Sequence, residues 1–198
     1  MSVRIPKQKR SMERKVRIMD AARELFAKKG LAGTSSNEIA REAGVSIGTF
    51  YSYFENKRAL FLEILKDHLG TFVTDIYTLK TDATIPIRDN IREHIMKAFR
   101  VFDLHPSFHK EALVLKFSDP DVRSLFDKFE QEQLAIISEL VRPYCTNRDP
   151  GSLQEVSKVM HSAVESIAHA VKFLHSPLDA DRLVAELTEM IHQYVISL

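Results

Sequence analysis

The sequence predicts an all-α fold of about nine helices. Apolar residues recur at three- and four-residue spacing almost throughout, glycine is scarce at 6 of 198 residues, and no convincing strand appears.

The first helix is expected over Met12 to Lys29. Ile18, Met19, Ala22, Leu25 and Phe26 form its apolar stripe, and Lys28-Lys29-Gly30 supplies a C-terminal stop. Ser35 and Glu38 have capping-box spacing and open a short second helix ending at Gly44, with Ile39, Ala40 and Ala43 on its apolar side. After a turn at Gly44-Val45, Ser46 is placed to cap a third short helix, and Asn56 to cap a longer fourth carrying Leu60, Phe61, Ile64 and Leu65. Lys80 to Ile85 reads as a connection, with Pro86 at the start of a new helix. Breaks at His105-Pro106, Asp119-Pro120, Asn147 to Gly151 and Ser176-Pro177 divide the remainder into about five helices. The last three are long, roughly Pro120 to Tyr144, Ser152 to His175 and Ala180 to Ser197.

The net charge of +1 conceals an asymmetry. Residues 1 to 60 hold 13 Lys/Arg against 6 Asp/Glu, a local +7, while the rest holds 15 against 21, a local −6. A basic front suits a polyanion, either nucleic acid or an anionic membrane surface, although scattered solvated charge accounts for the same count. No leader and no uncharged apolar span of bilayer length is evident, so a cytoplasmic protein is the expectation. The single cysteine, Cys145, has no partner for an internal disulfide or a zinc finger and reads as a small structural residue. No Gly-rich phosphate loop, nucleophile elbow or paired-carboxylate arrangement points to an enzyme or a cofactor.

Around the third helix, at 100° per residue, Phe50 and Phe54 share a side with Ile47 and read as core. Gly48, Thr49, Tyr51 and Ser52 point away. The outward group is small and polar with one tyrosine, on a helix narrow enough for a major groove. Gly48 is a poor choice for helix stability but permits close backbone approach. Thr49 and Ser52 suit base edges or phosphates, the hydroxyls of Tyr51 and Tyr53 suit phosphates, and Lys57 sits in the first turn of the next helix. An ordinary three-helix cap with solvated polar residues fits the same pattern.

The run Gly30-x3-Thr34, then Glu38-Ile39-Ala40-x2-Ala43-Gly44-Val45-Ser46-x-Gly48-Thr49-Phe50-Tyr51-x-Tyr53-Phe54-x-Asn56-Lys57-x2-Leu60, resembles the tetracycline-repressor (TetR/AcrR) family signature. The match spans about residues 12 to 65 without gaps. Ile47 departs from the pattern where lysine is common, and Arg58 where an acidic residue is common; the second substitution offers an added phosphate contact. The resemblance implies a helix-turn-helix DNA-binding domain at 12–55. Residues 1–11, with Arg4, Lys7, Lys9 and Arg10, read as a basic flexible arm that adds phosphate or minor-groove contacts, or equally as a disordered tail. An effector-binding and dimerisation domain follows at 56–198, entered by a linking helix over 56–79. It implies that Thr34 and Ser36 reach the DNA backbone, that Ile47, Gly48, Thr49, Tyr51 and Ser52 face the groove, and that Tyr53 and Lys57 hold phosphates. The implied partners are double-stranded operator DNA, a small-molecule effector and a second copy of the chain, with no membrane.

In the C-terminal part, Leu153, Val156, Met160, Ala163, Val164, Ile167, Val171 and Leu174 make one broad stripe, and the last helix is apolar over more than a third of its circumference. Val184, Leu187, Ile191 and Val195 are the candidates for a dimer interface. Phe99, Phe102, Phe108, Leu113, Phe117, Phe129, Val164 and Ile167 are the candidates for an apolar effector pocket. His105 and His109 have the spacing of a helical metal pair, but with no catalytic glutamate between them they read as structural. His161, Glu165 and His169 read as solvated residues opposite the apolar face, and Glu111 with the Asp119/Asp121 pair as helix-surface and capping groups, Pro120 standing at the first helical position. No metal is expected.

Overall fold

The computed structural model describes residues 7–77, 85–145, 152–174 and 176–198, and among these every regular element is helical. The order is α1 (Lys7–Lys29), α2 (Ser36–Glu42), α3 (Ile47–Tyr53), α4 (Lys57–Tyr77), α5 (Ile87–Val101), α6 (Pro106–Lys116), α7 (Pro120–Val141), α8 (Leu153–Phe173) and α9 (Ala180–Ile196). A single 3-10 turn, Arg142–Tyr144, follows α7. Arg4, most of the connection after Lys80, the turn at 147–151 and His175 lie outside the described residues.

The expected caps form. Asn56 Oδ1 accepts from the Ala59 amide at 2.9 Å, and Asp119 Oδ1 accepts from the amides of Asp121 and Val122 at 2.9 and 3.2 Å. One boundary differs: α1 starts at Lys7 rather than Met12, so Lys9 and Arg10, expected in an arm, belong to the helix. Nothing between Pro6 and Met12 breaks a helix, and Lys, Gln and Arg favour one.

The described residues pack as two compact units. One holds the chain up to His68 together with Ser107–Arg123; the other holds Leu69–Pro106 and Ser124–Leu198. The division into 12–55 and 56–198 expected from the sequence is one of role, and packing groups the chain differently by adding α6 to the N-terminal helices. The reason is aromatic. Phe61 of α4 meets Phe26 of α1 edge-on at 5.3 Å and Phe108 of α6 at the same centroid distance, and all three rings are buried. His68 continues the stack against Phe108, and its Nε2 lies 3.1 Å from Nδ1 of His109, so one imidazole donates and the other accepts. His109 is thus a buried core histidine.

In the second unit α9 packs mainly on α5 and also on α8. The four residues expected at a dimer interface, Val184, Leu187, Ile191 and Val195, are instead the face that α9 buries within its own chain. A helix apolar over so much of its circumference spends its strongest face on its own core first. α8 is rotated relative to the expected stripe: Leu153, Val156, Ser157, His161 and Ala168 are buried, whereas Met160, Ala163, Val164, Ile167 and Val171 are half-buried and Leu174 is exposed. Polar residues enter this core because each finds a partner. The Ser157 hydroxyl bonds the Leu153 carbonyl at 2.7 Å and Ser138 Oγ at 2.8 Å, and His161 Nε2 lies 3.2 Å from Gln133 Oε1. His161 is therefore not a solvated residue. His169, half-buried, stands edge-on to Phe102 at 5.0 Å.

Removing the ring at the centre of the first unit opens a cavity with no neighbour able to fill it. Phe61→Ala is expected to cost about 3–5 kcal/mol in urea unfolding.

Candidate nucleic-acid interface

The path to α3 is fixed by successive backbone caps. Ser35 accepts from the Glu38 amide at 3.2 Å, and Glu38 Oε2 accepts in return from the Ser35 amide at 3.1 Å, which completes the capping box. Lys29, in the last turn of α1, bonds the other Glu38 oxygen at 2.8 Å. The Lys29 bond, followed by those from Ser35, lowers the Glu38 pKa from 4.5 to about 2.

α2 ends with Gly44 at φ +63°; its amide reaches the Arg41 carbonyl at 3.1 Å, and the Val45 amide reaches Ala40 at 3.0 Å. This paired closure needs a left-handed residue, which Gly44 supplies without a Cβ penalty. Ser46 then caps α3, accepting from the Thr49 amide at 3.1 Å.

Phe50 and Phe54 anchor α3 in the core. Ile47, placed with them by helical angle, is exposed: it is the first residue after the cap, where the helix has not yet reached the core. Gly48, Tyr51 and Ser52 are exposed and Thr49 half-exposed, so the outward group stands on one accessible face with Ile47. Its hydroxyls already have local partners, Thr49 Oγ1 with Ser46 Oγ at 2.9 Å and Ser52 Oγ donating to the Thr49 carbonyl at 2.6 Å. A Cβ added at Gly48 would meet only Ser46 Oγ, at 3.9 Å. No packing within the chain requires glycine there. The Tyr53 hydroxyl lies 2.9 Å from Ser11 Oγ of α1, which aims the ring along the edge of this face.

Four expectations change at the rim. Thr34 is buried, and its hydroxyl donates to the Gly30 carbonyl at 2.9 Å, so its side chain closes the α1–α2 loop and does not face out. Ser36 opens α2 and stays half-exposed. Lys57 directs its ammonium onto three carbonyls, those of Leu31, Ala32 and Thr34, at 2.8, 3.2 and 2.6 Å. Glu111 of α6 takes the Leu31 amide on Oε1 at 2.8 Å, so it is not a surface group. Gly30, at φ +71°, makes room for it, since a Cβ there would stand 2.8 Å from Glu111 Oε1. Arg58, expected to add a phosphate contact, is bound to both Asp119 oxygens and to Asp121 Oδ2 at 2.7 Å. The hydrogen bonds that its guanidinium donates to Asp121 and Asp119 raise the Arg58 pKa further. Apart from the local Thr34–Gly30 bond, the sequence carries no short-range signal for these links, because each of the others joins residues 23 to 80 positions apart.

A short turn between α2 and α3, with an exposed polar face on α3 and aromatic anchors beneath, is the form of a helix-turn-helix. The family model described as bacterial regulatory proteins, tetR family, matches residues 18–64, which hold all of these elements. Residues 18–64 of this chain are therefore similar to the tetR family's DNA-binding segment. Among curated relatives, the chain is 36% identical over 97 residues to the uncharacterized HTH-type transcriptional regulator YerO of Bacillus subtilis, covering 48% of this chain and 34% of the relative. It is 39% identical over 58 residues to the fatty acid metabolism regulator protein of the same organism, covering 29% and 30%. It thus spans about a third of the length of these curated relatives. Among solved structures, the fatty acid degradation regulator FadR of Bacillus halodurans superposes with a TM-score of 0.69 at 19% identity, over 96% of each chain. A tetR-family transcriptional regulator of Streptomyces coelicolor gives 0.70 at 20% identity, over 92% of this chain and 79% of the other. At these identities the likeness is one of fold, and it covers the C-terminal helices as well.

The pocket candidates do not form one group. Phe99, Phe102 and Phe129 are buried and Val164 and Ile167 half-buried in the second unit, with Phe102 ringed by Phe72 at 5.0 Å, Phe173 at 5.8 Å and His169. Phe108 and Leu113 belong to the first unit. Phe117 is 79% exposed at the end of α6 and lines nothing. Among the described residues no group of three or more His, Cys, Asp or Glu is arranged to hold a metal, and no helix is long and apolar enough to cross a membrane.

Lys57→Met keeps the apolar stem and strips three carbonyls of their donor. It is expected to cost about 1–3 kcal/mol in urea unfolding of the DNA-free protein; unchanged stability would leave Lys57 as a surface cation. Glu38 contributes stability that is complete above its unfolded value of 4.5 and is lost as pH falls toward about 2. The difference in Tm between the wild type and Glu38→Gln should therefore shrink steadily from pH 5 to pH 2.5.

Proposed function

We propose that this protein is a DNA-binding transcriptional regulator, most simply a repressor, which binds a palindromic operator as a homodimer and is released by a small apolar effector. The observation that carries the proposal is the outward face of α3. Gly48, Thr49, Tyr51 and Ser52 are presented on a rigidly capped helix whose fold has no use for them. Glycine in a helix costs about 1 kcal/mol relative to alanine, and at Gly48 nothing in the chain compensates for it. A groove wall brought close to the α3 backbone does.

In this reading Ile47, Gly48, Thr49, Tyr51 and Ser52 face the major groove. Their hydroxyls exchange local partners for base edges or phosphates, and Tyr53 and Ser36 flank the contact. Two copies are needed because a seven-residue helix reads only a few base pairs, and half-sites one helical turn apart are bound jointly. The flank of α8 with Val159, Met160, Ala163, Ile167 and Val171, together with Met190 of α9, supports a second copy docking there: Val159 and Met190 are each more than half exposed. The aromatic cluster around Phe102 supports an apolar effector, and the relatives named for fatty acid metabolism are consistent with an acyl chain. Effector binding shifts the population toward a conformation that no longer matches the operator, to the extent that the effector prefers that state.

The test is a gel shift with DNA from upstream of the coding sequence. Sequence-preferring binding at moderate salt is expected; its absence removes the proposal, and binding blind to sequence points to a general basic adaptor. Gly48→Ala is the informative variant. It should fold with equal or greater thermal stability yet lose about tenfold or more in specific affinity, because its methyl group occupies the closest approach to DNA.

A further inference from the structure

From Arg10 onward the cations of α1 divide into two sets. Four are spent inside the chain: Lys15 on Glu63 at 2.5 Å, Arg23 on Asp20 at 3.0 Å, Lys28 on Glu24 at 3.7 Å and Lys29 on Glu38 at 2.8 Å. Arg10, Arg14 and Arg17 are all exposed, and among the described residues none has a hydrogen-bond or ion-pair partner. They stand at i, i+4 and i+7, one stripe roughly 10 Å long on a single flank of the helix. Glu13 sits three or four positions from Arg10 and Arg17 without pairing with either. Like charges so spaced repel, and among the described residues no group pairs with them to offset the repulsion.

The stripe is also placed beside α3. Ser11, next to Arg10, meets the Tyr53 hydroxyl at the end of α3, and Arg17 Nη1 lies 3.9 Å from where a Cβ on Gly44 would stand, at the turn that precedes α3. The arginines therefore run alongside the recognition helix for its length.

We propose that Arg10, Arg14 and Arg17 form a second DNA contact, gripping the phosphate backbone beside the half-site and adding affinity without sequence information. The inference rests on the reading of α3 as a groove-binding helix. Guanidinium suits the task, since its fork of donors matches phosphate oxygens. At about 3.4 Å of duplex axis per phosphate on one strand, a stripe of this length meets two or three phosphates.

The experiment is a salt titration of the full chain with a labelled 30-bp duplex of unrelated sequence, repeated with the upstream DNA. Each phosphate contact removed lowers the slope of log K against log salt by about 0.9. The triple variant Arg10→Gln/Arg14→Gln/Arg17→Gln should lower it by about 2–3 per protomer on both duplexes. The preference for upstream over unrelated DNA should be retained. Lysine at all three positions should restore most of the slope. The charge-matched variant Arg92→Gln/Lys97→Gln/Arg100→Gln on α5 should leave it unchanged. An unchanged slope in the α1 variant overturns the proposal, as does an equal fall in the α5 variant, which would make the effect one of net charge. A wild type that binds no duplex overturns both this inference and the reading of α3, whereas selective wild-type binding with an unaffected α1 variant overturns this inference alone.

Discussion

The peptide unit at Leu31 is held from two sides, and the geometry of the N-terminal helices depends on it. Its amide donates to the Glu111 carboxylate on α6, and its carbonyl accepts from the Lys57 ammonium at the start of α4. The same ammonium reaches two more carbonyls of the loop, so the segment joining α1 to α2 is fixed by charge-assisted bonds rather than by its own sequence. A loop of this kind would otherwise carry exposed backbone groups free to exchange with water. Clamped, it sets where Ser35 begins α2, and through the closure at Gly44 and the cap at Ser46 it sets where α3 stands. Arg58 adds a further tie, from the next residue of α4 to the turn between α6 and α7.

This arrangement separates two demands on one short helix. Phe50 and Phe54 are buried and anchor α3, while its other face makes only local contacts, the Thr49 and Ser52 hydroxyl bonds and the Tyr51 ring edge-on to Phe50. Had Gly48 or Tyr51 been needed for packing, substitution there would report on folding as much as on binding. Gly48 has open space around it, so the outward face can change in chemistry there without disturbing the anchors beneath.

The C-terminal unit follows the opposite logic, with polar side chains turned inward. Ser138, Ser157 and His161 are buried yet bonded to one another's neighbours, and they displace part of the apolar stripe of α8 toward its outer flank. Buried polar groups of this kind favour one packing over others, since a slipped helix would leave them unsatisfied. The apolar side chains so displaced form the surface on which a second copy is proposed to dock.

The sequence alone determined the helices, because period, caps and breakers are local: Ser35 with Glu38, Ser46, Asn56 and Asp119 each act within three residues, and the structure places every one as a cap. It also determined which side of α3 faces out, apart from Ile47, whose place in the first turn takes it off the core. Tertiary structure decided what local spacing cannot encode. That Lys57 serves the α1–α2 loop depends on the start of α4 returning to it, and that Arg58 is bound by Asp119 and Asp121 and Glu111 reaches Leu31 depends on α6 lying among the N-terminal helices. That placement is made by Phe61 and Phe108, which are 47 positions apart in the chain and in contact in the fold. Likewise, periodicity showed that α9 is apolar over a wide arc. Only the packing on α5 could show that Val184, Leu187, Ile191 and Val195 are used within the chain, because an amphipathic pattern states that a face must be covered and not what covers it.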